Sequence, residues 1–347
     1  GLVDTLYVLD EPSIGLHDRD TKKLIKILNN LKNLGNTILI VEHDLEIIKS
    51  SDYVIDLGLT GGELGGNVMF SGNINTKKKS LSITKKYINN ELKIITPKKR
   101  RYSNDFLHLN GGTKNNIKTI SSKFPINVLT TITGVSGSGK STLIKDILVP
   151  EIEKYLSNQK SLISIDKQIS SIKFVQQNSI GRSSRSNLIT YLKGFDEIRK
   201  LLANQKLATF KKFTPKFFSF NVDGGRCENC KGDGFIAIDM QFMSDIKIKC
   251  ENCNGKRYKE EILDIKYKGK NIYQILNMTV ETAYIFFEKA KQTAIIKHLK
   301  TLKNVGLGYV KLGQSLSSLS GGEAQRLKLA YYLNKKIENS IVIFDEP

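Results

Sequence analysis

The stretch Gly134-Val-Ser-Gly-Ser-Gly139-Lys140-Ser141-Thr142 decides how this sequence is expected to fold. It follows an apolar, β-branched run, Val128 to Thr133, and precedes a run with helical spacing, Thr142 to Leu148. A strand, a glycine-rich turn and a helix in that order form a P-loop, whose backbone N–H groups hold phosphate at a helix N-terminus. The sequence therefore predicts an α/β protein that binds a nucleotide.

The residues of this loop have distinct expected roles. Lys140 would reach the β- and γ-phosphates, and the Ser141 hydroxyl would bind Mg²⁺. The alternative interpretation is a glycine-rich turn that binds nothing. The predicted nucleotide-binding residues of the loop are Gly134, Ser136, Gly137, Ser138, Gly139, Lys140, Ser141 and Thr142.

The composition is that of a globular protein with a basic surface. A chain of 347 residues is long enough for two hydrophobic cores. The net charge of +20, from 54 Lys and Arg against 34 Asp and Glu, favours a polyanionic partner such as nucleic acid, although solvated faces would also explain many lysines. No apolar run approaches membrane-spanning length and no signal segment opens the chain, so we expect a cytoplasmic protein without a membrane partner. The chain opens without Met and ends within a motif, which predicts a fragment.

Two copies of a strand followed by acids lie near the two ends of the chain, Leu6 to Pro12 and Ile341 to Pro347. A short continuous apolar run is typical of a parallel strand buried on both faces, and ligands bind at the carboxyl ends of such strands. Asp10 would hold Mg²⁺ through water and Glu11 would orient or deprotonate the attacking water, with an ordinary turn as the alternative. The repeat predicts a duplicated domain.

A second apolar run, Thr37 to Val41, follows a helical pattern at Thr21 to Leu34 and leads to His43. A lone histidine at a strand end is usually structural, but after an acidic strand and one helix it also fits a sensor of the γ-phosphate. Further along, Lys173 to Gln177 is typical of a strand that ends in amides, and Gln177 could coordinate Mg²⁺ and the hydrolytic water.

The segment Leu319-Ser320-Gly321-Gly322-Glu323, called the signature below, opens another helix. Ser320, Gly321 and Gly322 would offer free N–H groups and the helix dipole to phosphate. This second phosphate-binding device need not serve the nucleotide that the P-loop binds.

All four cysteines fall into two CxxC pairs, Cys227 with Cys230 and Cys250 with Cys253. A glycine two residues after each pair lets the turn point N–H groups at sulfur. In a cytosolic chain this pattern favours metal over disulfides, and four thiolates predict a closed, structural Zn²⁺ site. Phe235–Ile248 alternates like a hairpin between the pairs. A basic edge for a phosphate backbone would come from Lys247, Lys249, Lys256, Arg257 and Lys259.

Further basic segments are weaker candidates for nucleic-acid contact. Ile180 to Asn187 carries two arginines that could meet phosphates. In residues 194–220 lysines alternate with phenylalanines, which could stack on bases or equally anchor a solvated edge to the core. Residues 73–104, which end in Pro97-Lys-Lys-Arg-Arg101, are more typical of a linker than of a DNA contact.

Together the P-loop, Gln177, the signature, His43 and the two acidic strands resemble the ATP-binding cassette family. The cysteine module between P-loop and signature, flanked by IGRSSRSN and SFNVDGGRCENCKGDG, is unlike a transporter cassette. It is similar to the damage-recognition subunits of bacterial nucleotide-excision repair. The resemblance implies the end of a first cassette at 1–72, a linker at 73–104 and a second cassette at 105–347. Within the second cassette it implies a P-loop at 134–142, a zinc module at 222–260 and a signature region at 316–330.

The resemblance also implies that each ATP lies between the P-loop half of one cassette and the signature of the other. Asp10, Glu11 and His43 would then share one site with Ser320, Gly321 and Gly322. The other site would contain the P-loop residues, Gln177, Asp345 and Glu346. The implied catalytic residues are Glu11, Glu346, His43 and Gln177. Since half of each site is present, the chain alone is expected to hydrolyse ATP poorly.

The implied function is an ATPase that binds double-stranded DNA as a homodimer, prefers damaged sites and loads a UvrB-like partner subunit. Its implied cofactors are ATP, Mg²⁺ and structural Zn²⁺, and no nuclease site is expected. The alternatives are a paralogue for resistance to a DNA-intercalating drug, a transporter ATPase and a non-catalytic zinc scaffold. The cysteine module argues against the transporter, and the P-loop with its signature argues against the scaffold.

Overall fold

The computed structural model describes residues 3–59, 61–62, 65–76, 80–176, 186–238, 246–335 and 338–345. The chain divides into two compact units. Unit 1 comprises Gly1–Phe174 with Glu338–Glu346, and unit 2 comprises Val175–Ile337 with Pro347. Unit 1 combines strands with helices and unit 2 is mainly helical, so the predicted mixed α/β class is confirmed.

The described elements have the following bounds. The strands are β1 (Leu6–Asp10), β2 (Thr37–Val41), β3 (Val54–Gly58), β4 (Asn67–Gly72), β5 (Phe106–Asn110), β6 (Ser121–Pro125), β7 (Ile163–Ile165), β8 (Ser171–Val175), β9 (Phe235–Ile238), β10 (Ile246–Lys249) and β11 (Ser340–Phe344). The α-helices are α1 (Asp18–Asn33), α2 (Leu45–Ser50), α3 (Ile83–Ile88), α4 (Val149–Leu156), α5 (Leu188–Tyr191), α6 (Phe195–Ala203), α7 (Lys206–Phe210), α8 (Glu260–Leu263), α9 (Ile272–Leu276), α10 (Val280–Lys289), α11 (Thr293–Asn304) and α12 (Gly321–Asn334). A π-helical segment, Thr142–Leu148, leads into α4, and short 3₁₀ turns occupy Pro215–Phe218 and Leu316–Ser318.

Strands β1 and β2 pair in parallel, as their apolar runs predict. The prediction that both faces are buried is wrong, because Leu6 and Val8 are 61% and 62% exposed. The two strands pair only with each other among the described residues. Helix α1 packs beside β2. The apolar side chains on alternate positions of β1 therefore remain in contact with solvent.

Strand β5 is central to a three-stranded antiparallel sheet of order β6-β5-β7. Its buried Leu107 and Leu109 pack with Ile147 of the π-helical segment and Ile152 of α4. The predicted strand at Phe106–Leu109 is thus confirmed, but the predicted strand at Val128–Thr133 is wrong, since those residues form no strand. Both edges of β5 already pair with β6 and β7, so β5 has no free backbone hydrogen bonds for Val128–Thr133.

The last strand, β11, pairs with β8, and the Ser171 and Ser340 hydroxyls lie 2.8 Å apart. Ile341 and Ile343 of β11 pack against the same core as Leu143 and Ile144, which follow the P-loop. The second acidic strand and the helix after the P-loop thus share one hydrophobic core in unit 1.

Unit 2 is built around a helical core that includes Leu188, Ile198, Phe287, Leu299 and Leu327, all fully buried. The predicted hairpin between the cysteine pairs is present as antiparallel β9 and β10. Lysine-rich residues 194–220 fold as helices and a turn whose Phe218 is fully buried. Phe213 stacks on Phe217 with ring centroids 4.9 Å apart, while Phe210 is 84% exposed. Five of the six phenylalanine rings in this range are buried or half-buried and therefore anchor the segment.

Residues 73–104 are partly helical, which their composition did not predict. Helix α3 buries Lys85, whose Nζ donates to the Thr76 carbonyl at 2.6 Å and lies over the Phe70 ring. The segment is therefore attached to β4 rather than solvated throughout.

Across the described helices, none has both the length and the apolar composition that crossing a lipid bilayer requires.

Candidate nucleotide and metal sites

The first acidic strand and the histidine meet at the carboxyl ends of β1 and β2. Asp10 is in register with Val41, and the ladder continues because the Glu11 N–H donates to the Val41 carbonyl at 2.9 Å. As a result, His43 Nε2 lies 3.1 Å from Glu11 Oε1. Glu11 has a φ of +43°, a left-handed conformation that turns its carboxylate away from the strand direction. The two predicted catalytic residues are thus in direct contact.

Glu42, which sequence reasoning missed, accepts hydrogen bonds from the backbone next to this pair. Its carboxylate accepts hydrogen bonds from the backbone N–H groups of Ser13 (2.9 Å), His43 (2.7 Å) and Asp44 (3.0 Å). Burial opposes ionisation of Glu42, but these hydrogen bonds outweigh it and lower its pKa. An ionised Glu42 therefore joins the backbone of His43 to the turn that follows Glu11.

The P-loop turn is open to solvent and held by its own side chains. Lys140 Nζ donates to the carbonyls of Gly134 (2.8 Å) and Val135 (3.0 Å). Gly139 has a φ of +98°, which favours glycine, and a Cβ there would lie 3.0 Å from Asn116 Oδ1 and push that side chain aside. Asn116 Nδ2 in turn donates to the Gly137 carbonyl at 3.1 Å. The loop therefore keeps its shape through Lys140 and Asn116.

The remaining predicted residues of the second site are only partly described. Ser141 and Thr142 begin the helical segment after the loop, and Thr142 Oγ1 lies 3.4 Å from Asn115 Nδ2. Asp345 follows β11 directly. Gln177 and Glu346, together with Arg182 and Arg185, lie outside the described residues.

The signature forms the N-terminus of α12, as its sequence predicts. Ser320 is the N-cap, and its Oγ accepts from the Glu323 N–H at 3.3 Å, while Glu323 Oε2 accepts from the Ser320 N–H at 2.9 Å. This reciprocal capping box fixes the turn at Gly321 and Gly322.

A tyrosine and an arginine that sequence reasoning missed complete the signature turn. The Tyr309 hydroxyl donates to Glu323 Oε1 at 2.6 Å and accepts from Arg326 Nη2 at 3.2 Å. Burial, and then the Glu323 carboxylate, raise the pKa of Tyr309. Arg326 Nη1 also donates to the Gly306 carbonyl at 3.1 Å. Both carboxylate oxygens of Glu323 are therefore bonded, and the loop at Gly306 is tied to the signature.

Helix α12 also contacts the segment that leads to Gln177. Lys328 Nζ donates to the Gln176 carbonyl, and burial lowers the pKa of Lys328. No motif in the sequence points to this contact, since lysine on a helix is normally a solvated residue.

The four cysteines form a buried cluster in unit 2. Their Sγ atoms all lie within 4.8 Å of one another, with Cys227 and Cys250 4.0 Å apart and Cys230 and Cys253 3.7 Å apart. Tetrahedral Zn²⁺ with Zn–S bonds of about 2.3 Å requires sulfurs about 3.8 Å apart. The residues present therefore fit a four-thiolate zinc site, as predicted.

The surroundings of the sulfurs shift their ionisation in opposite directions. Gly234 N–H donates to Cys230 Sγ at 3.2 Å. Burial opposes ionisation of Cys250, but the Cys253 N–H and the neighbouring thiols lower its pKa to about 7. Burial and the neighbouring sulfurs raise the pKa of Cys253 to about 12. Gly232 has a φ of +89°, and a Cβ there would come within 2.0 Å of the Phe220 carbonyl, which explains the glycine after the first pair.

Comparison with known proteins identifies one group of relatives. The chain is 48% identical over 359 residues to UvrABC system protein A of Malacoplasma penetrans, covering 100% of this chain and 37% of that protein. The corresponding protein of Helicobacter pylori is 46% identical over 356 residues. The chain resembles UvrA over its whole length. No protein-family model matches it.

A solved structure supports the same comparison. UvrA2 from Deinococcus radiodurans superposes with a TM-score of 0.91 at 42% identity, covering 99% of this chain and 42% of that one. The mixed α/β fold is therefore that of UvrA, and the cysteine cluster is compatible with a zinc module. The chain spans 37–38% of the length of the UvrA relatives from Malacoplasma penetrans and Clostridium perfringens.

Proposed function

We propose that the chain is the part of a UvrA-type, ATP-driven DNA-damage recognition protein that contains the end of one cassette and most of a second. Residues 1–72 would belong to the first cassette, residues 73–104 to a linker and residues 105–347 to the second cassette. The similarity to UvrABC system protein A at 46–48% identity over the entire chain supports this assignment.

Two nucleotide sites would use the residues described above. In one, Glu11 would accept a proton from the attacking water, His43 would orient that water and Ser320 with Gly321 and Gly322 would bind phosphate. Support comes from the 3.1 Å contact between Glu11 and His43 and from the capped signature turn. In the other, Lys140 and the N–H groups of the P-loop would bind phosphate, and Ser141, Gln177, Asp345 and Glu346 would serve Mg²⁺ and water.

The four cysteines would hold a structural Zn²⁺. Each sulfur is buried, and the pairs come from turns separated by the β9–β10 hairpin. The ion would join these turns, with no position left for a substrate.

The partners would be double-stranded DNA, preferentially damaged, a second copy of the protein and a UvrB-like subunit. The net charge of +20 supports a polyanionic partner. Acceptance of many lesions would rest on the deformability of the duplex rather than on base edges. Strand cleavage would belong to another subunit.

The observation that carries the proposal is the position of the cysteine cluster, between the P-loop and the signature of one cassette. The test is DNA binding by the full-length protein to a duplex with one bulky adduct and to the same duplex without it, with and without ATP and Mg²⁺. We expect preference for the adduct and a dependence on nucleotide. Glu11→Gln should slow ATP hydrolysis at its own site by about 10²–10⁴-fold because it removes the general base of that site.

Two outcomes would contradict the proposal. Equal affinity for both duplexes, with protection of cells against an intercalating drug, would favour the resistance paralogue. DNA affinity that is the same with ATP, with ADP and without nucleotide would show that the nucleotide sites do not control DNA binding. Asp18→Asn is the matched control for Glu11→Gln, because Asp18 is an exposed acid in the first turn of α1.

A further inference from the structure

A cavity of about 360 Å³ lies beside the second cysteine turn in unit 2. Three segments build it: the turn after Cys253, the end of α9 and the loop before the Leu316–Ser318 turn. Its polar and charged lining side chains are Arg257, Tyr273, Asn277, Lys311 and Gln314. Among the described residues that line this cavity, two are cations and none is an acid.

The backbone of the cavity wall is already hydrogen-bonded. The Gly313 N–H donates to the Leu276 carbonyl at 2.7 Å, the Gln314 N–H to the Lys311 carbonyl at 3.1 Å, and the Gly255 N–H to the Cys250 carbonyl at 3.3 Å. The first bond joins the loop to the end of α9, and the other two stabilise the loop and the cysteine turn internally. The chemistry of the cavity is therefore set by side chains, above all by the two cations.

Arg257 is held in place by contacts that leave its charge uncompensated. Its backbone adopts a φ of +72°, and its carbonyl accepts from the Cys227 N–H at 2.9 Å. Its guanidinium lies 5.6 Å from the centre of the Phe220 ring and donates to the Gly313 carbonyl at 3.4 Å. Within the part of the chain that the structure describes, it forms no ion pair.

Neighbouring lysines differ from Arg257 in this respect. Lys256 Nζ lies 3.3 Å from Glu260 Oε1, and Lys259 Nζ lies 2.5 Å from Glu228 Oε1. Both partners lie on the surface of the same unit, so the charge of these lysines is compensated locally. Of the three basic residues in the sequence Lys256 to Lys259, the one that lines the cavity is the one without a carboxylate.

We propose that this cavity binds one phosphate group of a DNA backbone, with Arg257 as the principal ligand and Lys311 as the second cation. A rigid guanidinium can donate two parallel hydrogen bonds to phosphate oxygens. Because Arg257 follows Cys253 by four residues, the same metal that joins the cysteine turns would position this phosphate ligand. The inference deepens the proposed function and rests on it.

The test measures affinity of the full-length protein for duplex DNA over a range of salt concentrations. Loss of one phosphate contact lowers the slope of log affinity against log salt by about 0.9. Because both cations serve one phosphate, the double variant Arg257→Gln with Lys311→Gln should lower the slope by about that amount, each single variant by part of it and Arg257→Gln by the larger part, while Arg257→Lys largely retains it. The matched control is Lys256→Gln, whose charge is already compensated, and it should leave the slope unchanged. A zinc content of one per cysteine cluster verifies that each variant is folded. If Arg257→Gln loses zinc, the salt slope of Lys311→Gln tests the proposal in its place.

The outcomes separate this inference from the proposed function. If the wild-type protein binds DNA with a steep salt dependence but Arg257→Gln and Lys311→Gln match Lys256→Gln, the cavity assignment is wrong and the repair function stands. If the wild-type protein does not bind DNA, both are wrong. A free phosphate compound is the other possible ligand of this cavity. Titration with inorganic phosphate, followed by the ³¹P line width, tests for it. Phosphate binding that Arg257→Gln abolishes, with no change in the salt slope, would assign the cavity to a soluble phosphate compound instead.

Discussion

The cysteine cluster and the P-loop are both sites that the sequence marks by a short motif, but they differ in how they are built. The four sulfurs are buried, in mutual contact, and surrounded by N–H donors from their own turns. The P-loop is exposed, and its lysine is bonded to the carbonyls of its own loop. The difference indicates that the first site stabilises the fold, whereas the second can change without unfolding its surroundings.

The largest expected effect is on the cysteine cluster. Cys250→Ser should lose the metal and most of the cooperative unfolding transition of unit 2, because binding free energy at such sites, about 10–16 kcal/mol in small zinc domains, is folding free energy. Metal content and calorimetry measure this effect. Asn252→Ala, in the same turn but exposed, is the control. An unchanged melting curve after complete zinc removal would refute the stabilising role.

A large effect on function without an effect on stability is expected at Lys140. Lys140→Ala should weaken ATP binding by about 10–100-fold, as expected for the loss of a charge-assisted hydrogen bond. The melting temperature should stay within about 1 °C, because one of the two hydrogen bonds of Lys140 is exposed and the other is only half-buried. Calorimetric titration with ATP and Mg²⁺ measures the affinity. Lys145→Ala, exposed on the same helical segment, should bind ATP normally; equal losses in both variants would contradict the role of Lys140.

A smaller effect is expected from the tyrosine behind the signature. Tyr309→Phe removes one hydrogen bond to Glu323, which is worth about 1 kcal/mol, so KM for ATP in the full-length protein should rise about fivefold. The kcat value should change less, because Tyr309 positions the signature and does not touch the reacting atoms. Tyr332→Phe, on α12, is the control. A fall in kcat at constant KM would instead place Tyr309 in the chemical step.

The smallest effect concerns Glu42 and depends on pH. The native pKa of Glu42 is lowered below its ordinary value of 4.5, so its contribution to stability is complete above that pH and is lost as the pH falls through the native pKa. Glu42→Gln should therefore melt below the wild-type protein at pH 7, with the gap closing below about pH 4. Thermal unfolding between pH 3 and 7 measures the gap. Glu46→Gln, an exposed neighbour, should show no comparable trend, and a gap that widens in acid would contradict the assignment.

Local patterns predicted the elements and the motif residues well. The apolar runs at β1, β2 and β11, the capped start of α12 and the cysteine pairs lie where the sequence puts them, whereas β8 (Ser171–Val175) begins and ends two residues before the predicted strand at Lys173 to Gln177. Each depends on residues close together in the chain, so spacing alone determines them.

Long-range choices could not be predicted in the same way. Val128–Thr133 has a strand composition, but β5 has no free edge for it, and edge availability depends on residues such as Ile163 that lie far along the chain. The contacts of Tyr309 with Glu323, and of Lys328 with Gln176, join segments that carry no shared motif. Helix α3 buries Lys85, and a composition rich in lysine predicts exposed side chains instead.

The lysine that bonds to its own loop also sets a condition on phosphate binding. Lys140 Nζ donates to the carbonyls of Gly134 and Val135, so a phosphate oxygen that accepts from Lys140 replaces hydrogen bonds that already exist. The net gain from this charged contact is therefore smaller than the gain from a lysine that had no partner to give up.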